Sequence, residues 1–171
     1  MTVITQDSVL FKGSLRFNLD PFGTVTDSEI EQLCTRAGLG PLMERASSAP
    51  ESERGVNLHI AEGGENLSQG EKQLVCICRA ALRKSKIFIL DEATANIDVN
   101  TETVIQKLIA EEFSQSTVIT IAHRLNTIIE SDRVLVLSHG SLLEYGTPAA
   151  LAADEESEFA KLLKNLQSGT D

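Results

Sequence analysis

Four places in the sequence combine residue types that could act on a phosphate anhydride. Asp91 and Glu92 follow the apolar run Ile87-Phe88-Ile89-Leu90. An aspartate at such a strand end can hold Mg²⁺, because the hard cation takes carboxylate oxygens. The adjacent glutamate can polarise a water for in-line attack on a γ-phosphate. The structural alternative for the pair is an acidic helix start after a strand. In Leu67-Ser68-Gln69-Gly70-Glu71, a hydroxyl donor and a glycine precede a helix-period segment, where backbone N–H groups and the helix dipole favour an anion. Ser68 and Glu71 also fit a capping box, and the two readings are compatible. His123 ends a second apolar run and could hydrogen-bond a γ-phosphate oxygen; a lone histidine is otherwise an ordinary structural residue. Gln6 follows a β-branched stretch and could reach Mg²⁺ or the attacking water; alone it is an ordinary loop glutamine.

These residues need strands and helices that bring them to one edge of a sheet. Residues 2–5 read as the end of a strand. A short helix over 14–19 is stopped by Asp20-Pro21. Thr26 and Glu29 fit a capping box for a helix whose stripe is Ile30, Leu33, Cys34 and Ala37, ended by Gly38. One more helical turn is expected over 41–46, then a polar loop over 47–55. The next helix starts near 69–71, with Leu74, Val75, Cys78, Ala81 and Leu82 on one face and Arg83-Lys84 in its last turn. The run 87–90 reads as a strand covered on both faces. A helix over 100–113, a strand over 117–122, a short helix through Ile128-Ile129 and a strand over 134–137 follow. His139-Gly140 reads as a hairpin turn into 142–145, and one last helix over 149–166 closes the pattern. The part from Lys86 onward alternates strand and helix, which predicts an α/β layer with parallel strands. The part before it reads as mostly helical.

Composition narrows the function. The chain has 171 residues, 42% hydrophobic and 23% charged, the balance of a globular domain with a real core. Its formal net charge of -10 argues against coating nucleic acid, whose backbone needs a basic surface. No apolar run approaches the roughly 20 residues of a membrane span, and the first residues lack the basic and apolar regions of a signal peptide. Three cysteines without zinc-like spacing fit a reduced setting, with thiols acting as small apolar residues. Cys76 and Cys78 fall on different sides of a helix, which disfavours a shared metal. His59 and His139 have no comparable setting. The cluster of Arg83, Lys84 and Lys86 and the acidic run Asp154-Glu155-Glu156 read as solvated faces.

Taken in order, the motifs resemble the nucleotide-binding domain of ATP-binding cassette (ABC) transporters. The match runs from a glutamine loop at Gln6 through a signature at 67–71 and a Walker B strand at 87–91 to a catalytic glutamate at Glu92. It continues with a D-loop at Ala95-Asn96-Ile97-Asp98 and a switch histidine at His123. The stretches Leu15-Arg16-Phe17-Asn18-Leu19-Asp20-Pro21 and Ala122-His123-Arg124-Leu125-Asn126-Thr127-Ile128 resemble subfamily C, the multidrug-resistance-associated exporters, and their second nucleotide-binding domain most of all. Two departures stand out. The signature has Gln69 and Glu71 where the commonest pattern reads Gly and Gln. No Gly-x-x-x-x-Gly-Lys-Ser/Thr occurs anywhere in the sequence, so the loop that cradles β- and γ-phosphates is missing from it.

The resemblance implies a partial P-loop NTPase fold of RecA-like type. It would have a parallel sheet and a helical subdomain, without the Walker A strand and the N-terminal β-subdomain. The implied parts are residues 1–85 for the glutamine loop and signature subdomain, 86–148 for the Walker B, D-loop and histidine part, and 149–171 for the C-terminal helix and tail. ATP and Mg²⁺ are the implied cofactors. Glu92 and His123 are the implied catalytic residues, Asp91 and Gln6 the Mg²⁺ ligands, and Gln6, Ser68, Gln69, Gly70 and Asp98 the nucleotide contacts. The implied partners are a second such domain, bound head to tail, and transporter membrane domains, with no nucleic acid. That places the chain at the cytoplasmic face of a membrane, or free in the cytosol if free-standing. The expected function is coupling ATP binding and hydrolysis to export, with no hydrolysis by these residues alone. The sheet should then have a gap between strands 117–122 and 134–137. The alternatives are a non-catalytic partner that presents the signature surface and a cohesin-type DNA-repair ATPase. The acidic charge and the absence of a heptad arm weigh against the second of these.

Overall fold

The computed structural model describes residues 1–45, 50, 54–91, 97–121 and 128–168. They fall into two compact units, 1–121 and 122–171.

In the first unit, a three-stranded parallel sheet has the order β1 (Thr2–Ile4), β4 (Ile87–Asp91), β5 (Thr117–Ile121). Ile4 pairs with Leu90 and Leu90 with Thr120, so the three carboxyl ends lie along one edge. Period-two alternation divides the sheet into two faces. Ile4, Phe88 and Leu90 are buried, and Phe88 stacks on Phe113 with ring centroids 4.0 Å apart. The opposite face carries Val3, Ile119 and Ile121, which are 50%, 48% and 50% exposed. The apolar run of β4 predicts cover on both faces, but among the described residues only one face is fully buried: on the other, Ile87 is 41% exposed and Ile89 half-buried. Among the described residues, β5 pairs with β4 alone.

The helices of this unit form where the sequence places them. α1 (Leu15–Leu19) is capped by Ser14, whose Oγ accepts from the Phe17 N–H at 3.0 Å. α2 (Asp27–Arg36) begins with the full Thr26–Glu29 capping box. Its stripe of Ile30, Leu33, Cys34 and Ala37 is buried, and the chain turns off at Gly38 with φ 74°. α3 (Gly40–Glu44) is a single turn. α4 (Gln69–Leu82) buries Leu74, Val75, Ile77 and Cys78, and α5 (Val99–Glu112) buries Ile105 and Leu108. α4 stops at Leu82, so Arg83 is its cap and Lys84 leaves it at φ 47°. One element lies outside the helical expectation: a two-residue ladder joins β2 (Gly13–Ser14) to β3 (His59–Ile60). The expected loop over 47–55 falls mostly outside the described residues.

In the second unit, β6 (Val134–Ser138) and β7 (Ser141–Gly146) form an antiparallel hairpin. His139 and Gly140, at φ 49° and 78°, make the turn that the right-handed twist of the flanking strands favours. The single helix expected over 149–166 is two helices, α6 (Pro148–Ala153) and α7 (Glu158–Ser168). The break has a local cause. Asp154 Oδ1 accepts from the Glu156 N–H at 3.0 Å, turning the acidic run out of helix. Glu144 of β7 then accepts from the N–H groups of Glu158 and Phe159 and from the Ser157 hydroxyl, which starts α7 afresh. No described helix is long and apolar enough to cross a membrane.

Candidate functional site

The turn before α4 is built to hold Ser68 at a helix start with its surroundings fixed. Gly64 stands at φ 69°, and a side chain there would meet Leu10 Cδ1 at 2.8 Å, so the position favours glycine twice over. Asn66 spans the turn: its Oδ1 accepts from the Ala61 N–H at 2.9 Å and its Nδ2 donates to the His59 carbonyl at 2.8 Å. Leu67 is buried and anchors the end of the turn. Ser68 then caps α4 in extended conformation. Its Oγ accepts from the Glu71 N–H at 3.3 Å, while Glu71 Oε2 accepts from the Ser68 N–H at 2.8 Å and from the Ser68 hydroxyl at 2.9 Å. The other oxygen of Glu71 pairs with Arg45. Ser68 and Gln69 are exposed, so the cap and the anion-receptive helix end occupy the same surface.

Gly70 faces inward. A Cβ on it would lie 2.9 Å from Thr101 Cγ2 on α5. The Thr101 hydroxyl donates to Asp98 Oδ2 at 2.7 Å, and Asp98 Oδ1 accepts from the N–H groups of Asn100 and Thr101. Asp98 is therefore the N-cap of α5. The Thr101 hydroxyl first, and backbone N–H groups after it, hold its carboxyl below the ordinary value. The α4 and α5 helix starts thus meet through Gly70 and Thr101.

The strand ends supply the other candidates. Gln6 is exposed in the bend after β1, and Asp91 is exposed as the last residue of β4. The bend is tied to α4 by Gln73, a fully buried amide whose Nε2 donates to the Thr5 carbonyl at 3.4 Å and whose Oε1 accepts from the Ser8 hydroxyl. Arg79, six residues on, donates to the Val9 carbonyl at 3.0 Å and to the Asn18 carbonyl at 2.6 Å, beneath the Phe11 ring. A cleft of about 210 Å³ opens between this segment and α4, lined by Thr5, Asp7, Ser8, Cys76 and Arg79 among others. Sequence alone does not mark Gln73, Arg79 or Asn66 as site-positioning residues; Gln73 and Arg79 carry a signal, a polar side chain on the buried side of a helix, whereas Asn66 lies in an exposed turn and carries none. Glu92, Ala95, Asn96 and His123 lie outside the described residues.

The thiols belong to the core. Cys34 and Cys78 are buried together, and the hydrogen bond that the Cys78 thiol makes to Cys34, with burial after it, raises Cys78 well above the ordinary thiol value.

The described residues fit part of a nucleotide site. The exposed α4 start at Ser68 and Gln69 could receive an anion, with both Ser68 donors turned to Glu71, and Asp91 could offer a hard carboxylate at the sheet edge where α/β ligands sit. No sequence in the chain supplies a phosphate-cradling Gly-x-x-x-x-Gly-Lys loop.

The profile of a family described as "ABC transporter" matches residues 1–95. Over 163 residues the chain is 51% identical to multidrug resistance protein mrp-7 of Caenorhabditis elegans, covering 95% of this chain and 10% of that protein. It is 48% identical to ATP-binding cassette sub-family C member 2 of Rattus norvegicus, over 93% of this chain and 10% of that protein. It is 46% identical to ATP-binding cassette sub-family C member 4 of Homo sapiens, over 97% of this chain and 12% of that protein. The chain thus spans about a tenth of the length of these curated relatives. Among solved structures, a bacterial Atm1-family ABC exporter with ATP bound superposes with a TM-score of 0.82 at 30% identity, over 99% of this chain and 29% of that one. Motif order, parallel sheet and these matches converge: the chain belongs to the ABC transporter family and carries nucleotide-binding-domain sequence of the subfamily C type.

Proposed function

We propose that this chain serves as the signature-bearing part of an ABC exporter's ATP-binding domain, capping a nucleotide held by a second such domain. The observation that carries the reading is the exposed Ser68–Gln69 helix start, fixed from behind by Asn66, Glu71 and the Gly70–Thr101 contact. There Ser68 and the α4 N-terminus bind and orient an anionic phosphate group presented by the partner. Gly70 allows the close seating of that turn, and Gln69 borders it. The similarity to sub-family C relatives supports coupling of this event to export across a membrane, with the chain at its cytoplasmic side. The membrane domains would belong to the complete transporter.

The strand-end residues form the other half of the reading. Asp91 and Gln6 would hold Mg²⁺, which supplies charge neutralisation at the phosphates when bound. Glu92 would orient and deprotonate a water, and His123 would donate to a phosphate oxygen. Asp98 would border the nucleotide while capping α5. Because these 171 residues hold no phosphate-cradling loop, the chain by itself binds ATP too weakly to turn it over. Steady-state ATPase assay of the purified chain tests this directly. The expected result is no magnesium-dependent turnover; a turnover that Glu92→Gln abolishes contradicts it.

A further inference from the structure

Ser68 faces the surface with its proton already committed. Glu71 Oε2 takes the hydroxyl at 2.9 Å and the Ser68 N–H at 2.8 Å, and the Glu71 N–H fills one hydroxyl lone pair at 3.3 Å. What remains outward is an acceptor lone pair, the wrong polarity for a phosphate oxygen, which needs a donor. The same carboxylate also places a negative charge beside any anion that approaches the α4 start. Both problems have one origin, the charge on Glu71.

Arg45, 26 residues earlier and at the end of α3, meets that charge. Its guanidinium pairs with Oε1, the oxygen that Ser68 does not use. We infer that Arg45 is a positioning residue of the signature surface, neutralising Glu71 so that the Ser68 hydroxyl can turn to an anionic phosphate. The guanidinium withdraws charge from the carboxylate, which weakens its hold on the Ser68 proton. It also cancels the repulsion that an unpaired carboxylate exerts on the anion. The pair is partly solvated, with the Arg45 side chain 54% exposed and Glu71 21%. Its direct contribution to fold stability is accordingly small, and its effect is felt on the incoming charge. A neutral side chain at position 71 would need no such partner.

The inference rests on the signature reading above, and the test separates the two. The purified chain is titrated, in MgATP, with a second nucleotide-binding domain that binds ATP without hydrolysing it. The apparent Kd is measured at several salt concentrations. Arg45→Ala is expected to weaken association about fivefold at low salt, with the deficit closing as salt screens the charges. Arg45→Lys keeps the charge and most of the affinity. On a Glu71→Gln background, Arg45→Ala is expected to change nothing. Equal losses on both backgrounds, or a loss independent of salt, would overturn the inference by making Arg45 a mere support for α3. An unchanged Kd for Arg45→Ala would overturn it too. Absence of any ATP-dependent association by the unsubstituted chain would overturn the signature reading itself, and this inference with it.

Discussion

Gly70 lies against Thr101 so closely that a single added methyl would come within 2.9 Å of Thr101 Cγ2. Gly70 has ordinary helical backbone, so alanine there would normally favour the helix. Thr101 reverses the sign. It is β-branched, and its hydroxyl is tied to Asp98 at 2.7 Å, so it cannot swing aside freely. Gly70→Ala is expected to destabilise the chain by about 1–3 kcal/mol through overpacking. Thr101→Ser removes the offending methyl and keeps the hydroxyl, so Gly70→Ala in that background should recover most of the loss. Urea unfolding of the four proteins checks this.

The Asp98 cap makes part of the stability pH-dependent. The Thr101 hydroxyl, ahead of the backbone N–H groups, holds the carboxyl below its ordinary value. A depressed native value means that this stabilisation is complete above the unfolded aspartate range, around pH 4, and is lost as pH falls through the native value. Thr101→Val keeps the shape facing Gly70 and removes the hydroxyl. Its acid-unfolding midpoint should move to higher pH than that of the unsubstituted chain. An unmoved midpoint would show that the backbone donors suffice.

Arg79 joins α4 to the segment after the Gln6 bend through the carbonyls of Val9 and Asn18. Burial lowers its guanidinium below the ordinary value, though it remains charged. Arg79→Ala leaves those acceptors without their partner and should destabilise by about 2–3 kcal/mol. Arg79→Lys restores a charge but not the fork, and should recover less than half. Chemical denaturation gives the magnitudes, and amide exchange over 9–18 reports whether that segment is the part released.

Glu144 starts α7 from a strand. Its carboxylate accepts from Glu158, Phe159 and Ser157, and the Glu158 N–H is the first cause of its lowered value. Glu144→Ala should leave the first turn of α7 frayed, seen as faster amide exchange at Glu158 and Phe159 with the β6–β7 hairpin intact.

The contrast between α4 and the 148–168 segment explains what sequence can and cannot tell. Ser68 and Glu71 sit three apart, so their capping box is local and legible in the chain itself. The same holds for Thr26 and Glu29, and for the His139-Gly140 turn. The break before α7 is set by Glu144, 14 residues from Glu158, so no local pattern announces it. Arg45 and Glu71 are 26 apart, and Thr101 lies on a different helix from Gly70; both relationships exist only in three dimensions. The apolar run of β4 shows that Phe88 and Leu90 are core. It cannot tell that Ile87 faces outward, because alternation is masked when every residue is apolar.

The most direct test of the account is ATP-driven association. Sedimentation equilibrium of the purified chain with a second, hydrolysis-deficient nucleotide-binding domain is run with MgATP and without nucleotide. The account predicts a complex with MgATP only, lost on Ser68→Arg, which fills the exposed helix start; urea unfolding of that variant checks that it stays folded without its α4 cap. A complex that forms without nucleotide, or that survives Ser68→Arg unchanged, contradicts it.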